Sequence, residues 1–67
     1  MFYTLTQSDI DYILRTAGLE DMDPDLFTLS ITGEDRDGVP QGKLRDADDG
    51  TLLHIFWRQS DGTWIVI

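Results

Sequence analysis

Cysteine is absent from this chain, and histidine occurs once, at position 54. Disulfides and thiolate metal sites are thereby excluded, and His54 has no second imidazole or thiol with which to build a usual zinc site. Cations are scarce: five Lys and Arg stand against thirteen Asp and Glu, a formal net charge of −8. Nucleic acid is recognised by clustered cations on phosphates, and anionic lipid attracts polybasic segments, so neither direct nucleic-acid binding nor a membrane role is expected. No window approaches the roughly 18 apolar residues of a membrane-spanning helix, and residues 1–9 lack the basic and apolar regions of a secretory leader. A cytoplasmic location is the expectation.

What remains is a 67-residue chain, 40% apolar and 27% charged, a composition suited to folding as one small acidic domain over residues 1–67. Thr6 can cap the backbone N–H of Asp9, with Leu5 and Ile10 spaced as a hydrophobic staple across the helix start. Ile10, Ile13, Leu14 and Ala17 recur at i, i+3, i+4 and i+7, and Gly18 follows, so the spacing predicts a helix over 7–17. Residues 20–25 hold four acids and Pro24 and read as a solvated connection.

Phe27, Leu29 and Ile31 then alternate with Thr28, Ser30 and Thr32, the period of a strand with one face buried. Asp-Gly pairs at 37–38, 49–50 and 61–62 supply turn chemistry for positive φ. Strands are predicted over 26–33, 41–46, 51–58 and 63–67, the second short or irregular because it offers little apolar content beyond Leu44. The fold class is α+β: one N-terminal helix on a three- to four-stranded antiparallel meander. Residues 1–5 can add a small strand or lie across the core.

Catalytic chemistry has little to work with, and no enzyme activity, cofactor or metal is expected. His54 lies within an apolar run and reads as a packing or interface residue. The Asp-rich segments 35–38 and 46–50 lack the full calcium-loop pattern and its distant Glu, and read as solvated turns.

The acids carry the first functional content. Alternate side chains of an extended segment lie on one face about 6.6 Å apart, comparable to the spacing of successive phosphates. Asp21, Asp23 and Asp25 can form one such row, Asp35 with Asp37 a second and Asp46 with Asp48 a third; with Glu20, Glu34 and Asp49 beside them, the stretches 20–25, 34–37 and 46–49 are the expected partner-binding surface. Eleven of the thirteen acids are Asp, which holds its carboxylate close to the backbone. Turn formation and solubility use the same residues, and that simpler role stands beside the functional one.

The second feature is apolar. The strand over 51–58 is apolar on both sides, with Leu52, His54 and Phe56 on one and Leu53, Ile55 and Trp57 on the other. One short helix covers one side only, so a second cover is expected: the Phe2-Tyr3 segment with the 19–25 connection, a homodimer, or a partner protein. Leu52, His54, Phe56 and Trp64 are the expected apolar interface.

In size, acidity and lack of cysteine the chain resembles phage-encoded inhibitors of the anti-CRISPR and anti-restriction kind, several of which imitate nucleic-acid charge. The resemblance covers no motif; it implies a stoichiometric inhibitor. The expected function is therefore non-enzymatic protein binding, the acidic surface occupying a basic, nucleic-acid-binding site on a partner. The alternative is a small accessory or regulatory subunit of a bacterial complex, bound through its apolar strand face.

Overall fold

The computed structural model describes residues 3–34 and 36–67. Helix α1 spans Gln7–Thr16, a 3-10 turn spans Pro24–Leu26, and the strands are β1 (Phe27–Glu34), β2 (Pro40–Asp46), β3 (Leu52–Arg58) and β4 (Trp64–Val66). The strands form one antiparallel sheet in the order β1-β2-β3-β4, the expected meander.

The helix begins and ends where local chemistry directs. Thr6 accepts from Asp9 N–H while the Asp9 carboxylate accepts from Thr6 N–H, a reciprocal capping box. At the other end Gly18 takes φ 78°, and N–H groups of Gly18 and Leu19 reach the carbonyls of Arg15 and Leu14. That is the Schellman arrangement, with Leu19 folded onto the core that buries Leu14. All three Asp-Gly turns use a glycine at positive φ: Gly38, Gly50 and Gly62.

The core consists of Ile13, Leu14, Leu44, Phe56 and Trp64. Trp64 meets Phe56 edge-on at 5.6 Å and Tyr3 edge-on at 5.9 Å, both within the favourable range for aromatic pairs. Strand β2, expected to be short or irregular, is a seven-residue central strand. Its apolar content is low because Gly42 lies opposite Phe56, whose ring occupies the space a side chain would need.

Two expectations are corrected by these contacts. Phe56 and Trp64 are 1% and 3% exposed beneath the helix, so they are core rather than interface. Leu52 does not share their face: the β2–β3 register shifts between Leu44 and Arg45, which leaves Leu53 as an extra residue and breaks the alternation. The expected second cover is also placed differently. Tyr3 and Leu19 pack on the helix side with Trp64 and Leu14, while Phe2 lies outside the described residues. No strand forms over residues 3–5. Among the described residues nothing covers the outer face, where Ile55, Trp57, Ile65 and Ile67 remain exposed or half-buried.

One half-buried carboxylate ties the helix start to the last strand. Asp9 accepts from the Tyr3 hydroxyl at 2.7 Å, from Thr6 N–H at 3.0 Å and from the Trp64 indole N–H at 3.2 Å. Burial pushes its pKa up, but hydrogen bonds from Thr6, Tyr3 and Trp64 to the charged form outweigh that and hold it at about 2, below the ordinary 3.8. A depressed native pKa means that the stabilisation is complete above the unfolded value and is lost as pH falls from about 4 toward 2. Asp9→Asn should therefore lower stability at neutral pH by about 1–2 kcal/mol. It should also flatten the acid limb of stability against pH, measured by urea unfolding; an unchanged acid limb would remove Asp9 from the account.

Candidate functional site

The meander decides which acids become neighbours. Antiparallel pairing sets Phe27, at the start of β1, opposite Asp46, at the end of β2. The 20–25 connection and the β2–β3 turn therefore share one end of the sheet, joined by Ala47 N–H to the Leu26 carbonyl at 2.9 Å. A concavity of about 130 Å³ lies between them, lined by Met22, Asp25, Leu26, Phe27, Asp46, Ala47 and Asp48. Asp25 thus meets Asp46 and Asp48 around this concavity, and Glu20, Asp21, Asp23 and Asp49 stand on the same two segments, all seven exposed except the half-buried Asp46.

The third group does not join them. Glu34 and Asp37 sit at the opposite end, where the β1–β2 turn faces Arg58 at the end of β3 and Gln59 and Ser60 of the β3–β4 turn. Asp35 lies outside the described residues.

Several of these carboxylates also build the turns they stand on. Asp23 accepts from Asp25 N–H at 3.0 Å, Asp46 from Asp48 N–H at 2.8 Å and Asp49 from Thr51 N–H at 2.9 Å. The side-chain and backbone hydrogen bonds of Thr51 lower the Asp49 pKa, and those of Thr63 do the same for Asp61. The turn bonds fix these carboxylates in orientation, and at Asp49 and Asp61 they also favour the charged form. At this end Arg45 Nη1 donates to the Gly50 carbonyl at 2.9 Å; elsewhere Arg15 lies over Tyr12 and Arg58 over Tyr3. Among the described residues no group of three or more His, Asp or Glu side chains could hold a metal ion.

The apolar candidates divide between core and surface. Phe56 and Trp64 are internal, while Leu52 is 46% exposed at the β3 bulge. His54 is half-buried, its Nδ1 3.2 Å from the Ile67 carbonyl, a contact that needs the proton on Nδ1. The open apolar stripe is the opposite one, formed by Ile55, Trp57, Ile65 and Ile67. Beside it a concavity of about 330 Å³ is bordered by Thr32, Gln41, Lys43, Ile55 and Trp57. A sequence signal for this assignment existed. A glycine inside a strand marks close approach by a neighbour, so Gly42 with Leu44 points to the side on which a large residue of the next strand lies buried.

Among the described residues no helix is long and apolar enough to cross a membrane. Comparison with protein families, curated proteins and solved structures finds no match.

Proposed function

We propose that this chain is a non-enzymatic binding domain whose acidic end enters a basic, nucleic-acid-binding site on a partner protein and blocks it. The observation that carries the reading is the convergence of residues 20–25 and 46–49, far apart in sequence, at one end of the sheet. Carboxylates fixed by turn hydrogen bonds present charge with little reorganisation, which favours rapid association with a cationic groove. Asp21, Asp25 and Asp48 accept none of the turn bonds described above, so their replacement by Lys tests charge without removing a cap. The tagged domain should retain a nucleic-acid-binding protein from bacterial lysate, and duplex DNA should compete for it. The triple variant should slow association by about tenfold or more, and added salt should weaken the wild type. Retention indifferent to salt and to the triple variant would sink the proposal.

A second reading, an accessory subunit docking through its apolar strand face, is favoured by the uncovered stripe around Ile55 and Trp57. It expects Ile55→Lys, and not the acid variants, to abolish retention.

A further inference from the structure

The strand β1 forms one edge of the sheet, and its backbone parity shows what it offers. The bond from Ala47 N–H to the Leu26 carbonyl, continued through the register Thr28↔Arg45 and Ser30↔Lys43, makes the even-numbered residues those that bond to β2. The N–H and C=O groups of Leu29 and Ile31 therefore point away from the sheet, as does the Phe27 carbonyl; Phe27 N–H turns back to Pro24. Helix α1 packs over β4, the far edge, so Phe27, Leu29 and Ile31 touch the core yet stay half-buried. From 27 to 33 this edge has no charge and no proline. Edges of soluble sheets are ordinarily guarded by such residues; here the only guard is the irregularity between Ile31 and Gly33.

We propose that β1 pairs antiparallel with β1 of a second copy, joining two four-stranded sheets into one of eight strands. The edge is complementary to itself in one register. With Leu29 opposite Leu29 of the second copy, their N–H and C=O groups exchange, and each Ile31 N–H meets the Phe27 carbonyl of the other chain. On the helix side Phe27 then faces Ile31, an aromatic with a β-branched residue; on the outer side Thr28 faces Ser30, a hydroxyl pair. A slip of two residues one way sets Phe27 against Gly33, and the other way sets Ile31 against Asp25. Glu34 and Asp25 come near each other at both ends of the pairing, so salt should strengthen it. That is opposite in sign to the salt response of the acidic end, and the inference does not rest on that reading.

The test uses the whole chain in light scattering and sedimentation equilibrium, at rising protein and salt concentration. The expected result is a mass of twice 7.6 kDa at high protein concentration, reached sooner in high salt. Exchange of the Leu29 and Ile31 amides with solvent should slow by at least tenfold as dimer forms. The double variant Thr28→Glu/Ser30→Glu places each new carboxylate opposite Arg45 or Lys43 within its own sheet, which suits the monomer. Across the pairing it sets Glu against Glu, and the mass should fall to 7.6 kDa with the circular dichroism unchanged. Ile55→Lys, on the outer face, should leave the dimer intact. A chain that stays monomeric at millimolar concentration overturns the proposal, as does a dimer lost in Ile55→Lys or one whose Leu29 and Ile31 amides exchange as fast as in the monomer. If the double variant does not fold, those amide rates in the wild type decide.

Discussion

Phe56→Ala is expected to leave the chain unfolded at room temperature. The ring is 1% exposed, lies edge-on to Trp64 and covers Gly42, so its removal opens the centre of the core. Truncating a buried Phe costs about 3–5 kcal/mol, and one core in a domain this small supplies roughly that much in total. Phe56→Leu keeps most of the volume and should retain a cooperative transition, weakened by about 1–2 kcal/mol. Urea unfolding followed by far-ultraviolet circular dichroism checks both. A Phe56→Ala chain that unfolds cooperatively, within about 1 kcal/mol of wild type, would place the ring outside the core.

The second large effect comes from a single methyl group. In Gly42→Ala the new Cβ would run into the Phe56 ring and into the Ser30 carbonyl of β1. The ring can tilt, but the carbonyl belongs to the backbone of a paired strand, so β1 and β2 must separate locally. A loss of about 3 kcal/mol is expected, at the upper end for overpacking. Hydrogen exchange should show β1 losing protection before β3 and β4. Adding Phe56→Leu should not restore it, because the carbonyl clash persists. Gly33→Ala, where an added Cβ meets nothing within 4 Å, is the control and should change stability little. Equal effects at the two positions would refute the packing argument.

The elements were legible because each was written locally. Thr6 with Asp9, Gly18, and the three Asp-Gly turns announce their roles within four residues, and the structure uses every one of them. Facing was not legible in the same way. The β3 strand is apolar on both sides, so alternation alone could not say which side the helix takes, and the bulge at Leu53 shifted Leu52 out of phase. Strand β2 looked weak because its central inward position is a glycine, filled by a ring from the next strand. Among the acids, the grouping of 20–25 with 46–49 follows from the meander once strand order is known. Residue types alone gave three equivalent rows. The Asp9–Trp64 bond joins residues 55 apart, and the helix cap concealed this second role.

That long-range bond has a consequence for a chain made residue by residue on a ribosome. The β1–β2 and β2–β3 hairpins can close as they emerge, since each needs only its neighbour. Helix α1 emerges before any of them, yet its main partner is β4, the last of the described strands to be made. Until Trp64 clears the exit tunnel, the helix has its apolar stripe uncovered and Asp9 lacks its indole donor. The nascent helix is therefore open to proteases and chaperones while it waits, and its protection arrives only with β4.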